Sequence, residues 1–148
     1  MEIVIRNNNF KCRLYDIDTF MDMPLANTRK LLRLMFGEIW SNEESIETLR
    51  AWLLNKCAGT GALVIVRESD LAHATELAET TRSAVAVFGS VATKDLIKAL
   101  KAAKRNMRIA KNLLITAERT HEKVLKLQTF FNELIKEYES EEKHDSSN

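Results

Sequence analysis

Two histidines stand three residues from a glutamate, which is the spacing that di-iron helical bundles use to bind metal. His121 follows Glu118, and His73 precedes Glu76. Such bundles also need several inward carboxylates from four helices, and the apolar faces of this sequence offer none. We therefore predict no metal site and no cofactor. We expect His121 to fix the register of an apolar seam or to add a pH dependence.

The remaining candidates for catalysis are the two cysteines and one Ser-Asp pair. Cys12 and Cys57 are possible nucleophiles with His73 as the base, and Ser69-Asp70 lies near that histidine in sequence. Neither arrangement has the spacing of a catalytic motif. The glycine-rich stretch 58–62 lacks the lysine of a phosphate-binding loop and is predicted to be a turn. The sequence therefore favours a protein that is not an enzyme, with no catalytic or cofactor-binding residues.

The composition is that of a globular chain. Its 148 residues suit one domain, 45% of them are hydrophobic and 29% charged, and the formal net charge is +1. No apolar run approaches the roughly 18 residues of a membrane helix, and the N-terminal stretch lacks the basic and apolar sections of a signal peptide. We therefore expect a soluble, cytoplasmic protein with reduced cysteines and no membrane contact.

Residues 1–62 predict a small head. Glu2–Arg6 and Phe10–Tyr15 are short and rich in β-branched or aromatic types, and the asparagines 7–9 between them favour a turn. This pattern indicates an N-terminal β-hairpin. A lone hairpin is marginally stable in water, so it must pack on something.

Two short helices are the predicted support for the hairpin. The first runs from about Pro24 to Trp40, with apolar residues at helical spacing on one face. The second begins at a capping box, formed by Ser41 and Glu44, and runs to about Ala58. The glycine-rich turn then ends the head.

Residues 63–92 form a connecting segment with two possible structures. In the helical alternative, Ser69 caps a helix that begins at about residue 70 and breaks near Gly89. In the other alternative, Leu63–Val66, Ala84–Phe88 and Leu113–Thr116 are strands that alternate with helices.

The alternating structure is supported by a resemblance to toprim domains. The stretches 63–70, 84–90 and 113–118 resemble the strand ends of that family, whose members bind magnesium through a glutamate after one strand and an Asp-x-Asp pair after a later one. The resemblance implies that Glu68 takes the place of the glutamate, with Arg67 as an extra residue. Glu118-Arg119-Thr120 stands where the paired aspartates belong. A three-layer, toprim-like α/β fold over residues 63 to about 124 is therefore the alternative fold class.

The C-terminal third of the chain has a heptad pattern that favours the helical alternative. Apolar residues recur in steps of four and three from Leu96 to Tyr138 without a glycine or proline. We predict one coiled-coil-like helix from residue 93 to about 141, followed by a disordered polar tail over 142–148. The predicted fold class is therefore mainly α, with a β-hairpin packed on short helices and then this long helix.

The long helix is predicted to join two or more copies of the chain, because the head is too small to cover its apolar stripe. Ala103, Ala110 and Ala117 recur at one position of the stripe and permit close helix approach. Leu113, Leu127 and Leu134 widen it in a way that suits three or more helices. The predicted oligomer seam consists of Leu100, Met107, Leu114, His121, Val124, Phe131, Ile135 and Tyr138.

Charge is uneven along the same helix. Residues 94–126 contain ten Lys or Arg against three acids, whereas residues 133–145 contain six acids against two lysines. An antiparallel pair of helices would place these opposite charges together. The basic half also forms a possible nucleic-acid patch, although no aromatic residue is interleaved for base stacking. Its residues are Lys98, Lys101, Lys104, Arg105, Arg108 and Lys111.

The expected function is that of a non-enzymatic helical interaction protein. It would self-associate through the long helix as a dimer or larger homo-oligomer, and bind a macromolecular partner, most simply another protein. An accessory or inhibitor protein of a phage or other mobile element fits this size and this lack of chemistry. The alternative is a nucleic-acid-binding accessory protein that uses the basic patch.

Overall fold

The computed structural model describes residues 2–6, 12–16 and 21–146 of the chain. Strands β1 (Glu2–Arg6) and β2 (Cys12–Asp16) pair antiparallel, with Val4 opposite Leu14. Three α-helices follow: α1 (Leu25–Ile39), α2 (Glu43–Phe88) and α3 (Lys94–Ser146). A short 3-10 turn, Gly89–Val91, joins α2 to α3. The asparagine turn at 7–9 and the start of the predicted second strand at Phe10 lie outside the described residues.

The predicted fold class needs correction. Residues 21–146 are helical almost throughout and contain no strand. A hairpin packed on short helices is not the arrangement found, because the second helix continues for thirty residues beyond Ala58 to Phe88. The α/β alternative is wrong, since the stretches 63–66, 84–88 and 113–116 are all helical. The toprim resemblance therefore has no structural basis.

The long C-terminal helix is confirmed. It begins at Lys94, one residue after the predicted start, and continues to Ser146 rather than ending near residue 141. The hydroxyl oxygen of Thr93 accepts a hydrogen bond from the backbone N–H of Leu96 at 3.2 Å, which caps the first turn. The helix extends into the stretch 142–148 predicted as a disordered tail, where Glu142 and Lys143 are helical.

The glycine-rich stretch 58–62 is not the turn that the sequence predicts, and helix α2 continues through it. Gly59 and Gly61 both lie inside the helix, where each costs about 1 kcal/mol relative to alanine. At Gly61 an added Cβ would lie 3.2 Å from Cε1 of His121, so a side chain there would crowd α3. Helix α2 ends at Phe88. The next residue, Gly89, has a φ of 57°, a left-handed conformation that glycine adopts readily.

The start of α2 also differs from the prediction. The helix begins at Glu43, and the side-chain oxygen of Asn42 accepts a hydrogen bond from the backbone N–H of Ser45 at 3.1 Å. Asn42 is therefore the capping residue in place of Ser41, as its strong preference for that position allows. Glu43 and Glu44 lie in the first turn, where negative charge is favourable.

The described residues divide into two compact units. Unit 1 comprises Met1–Ala58 and Glu122–Asn148, and unit 2 comprises Gly59–His121. Unit 1 contains a three-helix core to which α1, α2 and α3 all contribute. Its buried residues are Leu32, Met35, Phe36, Ile39, Ile46, Leu49, Trp52, Leu53, Leu127, Phe131 and Leu134.

Aromatic rings pack tightly within unit 1. The ring of Phe36 meets that of Phe131 edge to face, with centroids 5.2 Å apart, and lies 5.7 Å from that of Tyr138. The ring centroids of Tyr138 and Trp40 are 5.2 Å apart. A Cβ atom added at Gly37 would lie 3.2 Å from the hydroxyl oxygen of Tyr138. Such ring pairs stabilise a core beyond their buried area. They tie α1 to the last third of α3.

Unit 2 consists of the second part of α2 and the first part of α3, joined by the 3-10 turn. Its buried residues are four alanines: Ala78 on α2, and Ala103, Ala110 and Ala117 on α3. Small side chains let two helices approach closely. The three alanines at one heptad position of α3 are therefore buried inside a helical hairpin of the same chain.

Candidate interaction surface

The predicted oligomer seam divides between the two units. In unit 2, Leu100, Met107, Leu114 and His121 are half-buried. In unit 1, Val124 and Phe131 are fully buried, and Ile135 and Tyr138 pack against the core formed with α1 and α2. The second half of the seam is thus covered by helices of its own chain, which the heptad pattern alone does not distinguish from helices of a second copy.

His121 is held by α2 in unit 2. Its Nδ1 atom lies 2.8 Å from the hydroxyl oxygen of Thr60, and its ring lies against Gly61. This contact sets the register of α2 against α3 at one level of the hairpin. His73 is exposed. Among residues 2–6, 12–16 and 21–146, no group of three His, Cys, Asp or Glu side chains is placed to hold a metal ion.

Lys123 has a role in unit 1 that the sequence does not indicate. Its ammonium group donates hydrogen bonds to the backbone carbonyls of Met21, at 3.1 Å, and of Met23. Burial lowers the pKa of this ammonium below its usual value of 10.5, and the charge of Asp22 partly opposes that shift. The side chain ties the segment before α1 to α3.

The possible nucleic-acid patch is solvent-facing. All six of its basic side chains are exposed on the first part of α3. Within unit 2, α3 carries eight Lys or Arg and two acids over residues 94–121, a net charge of +6. The α2 part, residues 59–88, carries two Arg and four acids, a net charge of −2. The hairpin is therefore strongly basic on one helix and mildly acidic on the other.

Unit 2 carries a set of exposed aliphatic side chains on one side of both helices, here called the apolar face. Asp70 stands on the same side of α2, with its carboxylate 3.5 Å from the guanidinium of Arg67. Because Thr60 faces His121 and the helices run in opposite directions, the α3 members lie between the α2 members along the hairpin. Its residues and exposed fractions are Leu63 (42%), Val66 (52%), Leu77 (57%), Ile109 (50%) and Leu113 (41%).

The apolar face repeats the heptad positions that α1 covers in unit 1. Leu49 on α2 is buried in the core with α1, and Leu63 and Leu77 follow it by two and four heptads, with Lys56 and Asp70 at the intervening positions. On α3, Leu127 and Leu134 are buried in the same core, and Leu113 precedes Leu127 by two heptads. In unit 1 these positions have a third helix over them. In unit 2 they are exposed.

Helix α2 with the following turn, Glu43–Val91, meets the length and composition expected of a membrane span. Its most apolar window has a mean hydropathy of 1.2, and 17% of that window is buried. The expectation that no stretch approaches this length is therefore too strict. The same criterion is met by core helices of water-soluble proteins, so it is weak evidence for a membrane.

Comparisons of the chain with protein-family models, with curated proteins and with solved structures found no match.

Proposed function

We propose that this is a helical interaction protein without enzymatic activity, which self-associates and presents a surface to a macromolecular partner in the cytoplasm. The observation that carries the proposal is the apolar face of unit 2. Groups of large aliphatic side chains exposed on one side of a water-soluble protein mark sites of association. The role of α3 in association is then through this face, since His121 of the half-buried part of its seam packs on α2 of the same chain.

The two units differ in how their apolar residues are buried, and we propose different roles for them. Unit 1 has a packed core to which α1, α2 and α3 contribute. In unit 2 only alanines are fully buried, several larger apolar residues such as Leu100, Met107 and Leu114 are half-buried, and the residues of the apolar face are exposed. Covering the apolar face would bury further apolar surface, which is favourable. An accessory or inhibitor protein of a phage or other mobile element acts in this way, by occupying a partner, and we propose that class of role.

Sedimentation velocity over a range of concentrations tests the proposal. We expect the mass to rise from that of the 16.9 kDa chain toward at least twice that value. A mass that stays at 16.9 kDa at every concentration, with no stable complex isolated from the native host by affinity purification, would contradict it.

A second candidate function is nucleic-acid binding through the basic patch, favoured by the exposure of all six of its side chains. Phosphate contacts release counterions, so the log–log slope of affinity against salt is about −0.9 per contact on duplex DNA. We expect only weak binding that disappears between about 50 and 200 mM salt, because stacking residues are lacking from the patch. Tight binding at the higher salt, abolished when Lys101, Lys104, Arg105 and Arg108 are changed to Glu, would favour the second candidate.

A further inference from the structure

We infer that the apolar face of unit 2 is covered by unit 2 of a second copy of this chain, with α2 of one copy packed over α3 of the other to form a four-helix bundle. This inference rests on the proposed function and specifies the surface and its occupant.

The first argument is the continuity of the face with a packed interface. Leu49, Leu127 and Leu134 show what these heptad positions do when a helix lies over them, since each is buried in the core beneath α1. Leu63, Leu77 and Leu113 have the same residue type at the same heptad positions. Asp70, which stands between Leu63 and Leu77, forms an ion pair with Arg67 of its own helix. The partner expected to bury these leucines is therefore the aliphatic face of another helix. A second copy supplies two such faces at once.

The second argument is charge. A two-fold axis parallel to the helices places α2 of each copy over α3 of the other, with the two helices antiparallel. On the side of the apolar face, the acidic residues Asp70 and Glu76 of α2 then face α3, which carries the basic residue Arg105 at the level of Glu76. The alternative axis, perpendicular to the helices, places α3 against α3 and opposes like charges. The surface is thus self-complementary in only one of the two symmetric arrangements.

This arrangement fixes which residues meet. Thr60 and His121 lie at the same level within one chain. A two-fold axis parallel to the helices does not shift residues along them. Residues at one level in one copy therefore lie at the same level in the other. Glu76 of one copy then lies level with Arg105 of the other, and both side chains are exposed at the edge of the apolar face. The pairing of these two residues is specific to the proposed orientation.

The decisive experiment measures the mass of full-length variants by size-exclusion chromatography with light scattering. Leu113→Glu places a charge near the middle of the face, and Leu77→Glu places one at its end. We expect either change to weaken association by about a hundredfold, because a buried charge without a partner costs several kcal/mol. Leu34→Glu is the matched control, since Leu34 is 67% exposed on α1 and lies outside the face. It should leave the dimer unchanged.

Folding is checked in the same samples by circular dichroism. The substituted leucines are already exposed, so the helical signal should persist in all three variants. The orientation is tested with Glu76→Arg and Arg105→Glu, each of which should weaken the dimer several-fold, whereas their combination should restore it.

The outcomes separate this inference from the proposed function. A wild-type dimer that is unaffected by Leu77→Glu and Leu113→Glu would overturn the inference while leaving self-association intact. A wild-type chain that is monomeric at every concentration would remove both the inference and the self-association on which it rests. Binding of a monomeric wild type to anionic lipid vesicles, lost in the same two variants, would show that the occupant is a membrane and overturn the inference.

Discussion

His121 on α3 lies with its Nδ1 atom 2.8 Å from the hydroxyl oxygen of Thr60 on α2, and the same ring fills the space that a side chain on Gly61 would need. This contact explains two features at once. It provides a hydrogen-bond partner for a histidine in an otherwise apolar seam. It also explains why residue 61 is a glycine, because a side chain there would crowd the His121 ring.

Replacement of the two glycines by alanine should have unequal effects. At Gly59 nothing lies within 4 Å of an added Cβ, whereas at Gly61 the Cβ would be 3.2 Å from His121. We expect Gly59→Ala to stabilise the protein by up to about 1 kcal/mol through helix propensity. Gly61→Ala should lose this gain to crowding and be the less stable variant. Equal unfolding free energies in urea would contradict the packing of His121 on Gly61.

Removal of the Thr60 hydroxyl should destabilise the hairpin of unit 2. Thr60→Val leaves the part-buried imidazole without this hydrogen bond and should lower the unfolding free energy by about 1–2 kcal/mol. Thr116→Val is the control, because the Thr116 hydroxyl donates only to the carbonyl of Asn112 in its own helix turn and is exposed. Chemical denaturation of both variants checks the difference, and a loss in the control as large as that in Thr60→Val would refute the assignment.

Truncation within the core of unit 1 should be costly. Leu134 is fully buried beneath α1, and Leu134→Ala should lower the unfolding free energy by about 2–5 kcal/mol. Leu125→Ala changes a residue on the same helix that is largely exposed, and we expect a loss below about 1 kcal/mol. If both variants lost the same stability, the face of α3 that packs on α1 would have been assigned wrongly.

Lys123 should give the protein a small pH dependence. Its folded-state pKa is lowered by burial, so between that value and 10.5 the unfolded chain binds more protons at this site. The unfolding free energy should therefore rise as pH increases through this interval. Lys123→Met should remove this contribution while also freeing the carbonyls of Met21 and Met23. Denaturation curves of both proteins at several alkaline pH values measure the difference, and identical slopes would count against it.

The sequence predicts α3 well because nothing interrupts its pattern. From residue 93 onward there is no glycine or proline, and apolar residues keep heptad spacing to Tyr138. Helix α2 could not be predicted in the same way. Gly59 and Gly61 have the composition of a turn, yet both lie inside the helix, and the ring of His121, sixty residues away, packs on Gly61. Local propensity does not contain that information.

The candidate surface shows a similar limit. A heptad seam indicates that a helix has a partner, but not whether the partner belongs to the same chain. The aromatic contacts of Phe36 and the carbonyl contacts of Lys123 join segments about a hundred residues apart, so no local pattern marks them. The widening of the stripe at Leu113, Leu127 and Leu134 was the available signal for a third helix. Of these three residues, only Leu127 and Leu134 are buried in the core to which α1 contributes.

Site-specific photo-crosslinking tests most directly whether the apolar face of unit 2 lies against another copy. A benzophenone side chain replaces Val66 on α2, and unlabelled and nitrogen-15-labelled chains are mixed before irradiation. The account predicts a crosslinked product of twice 16.9 kDa that joins one chain of each label, with the crosslink in α3 between Ile109 and Thr116. The same side chain at position 34 should give no such product. Crosslinks confined to single chains, or equal dimer yields from both positions, would contradict the account.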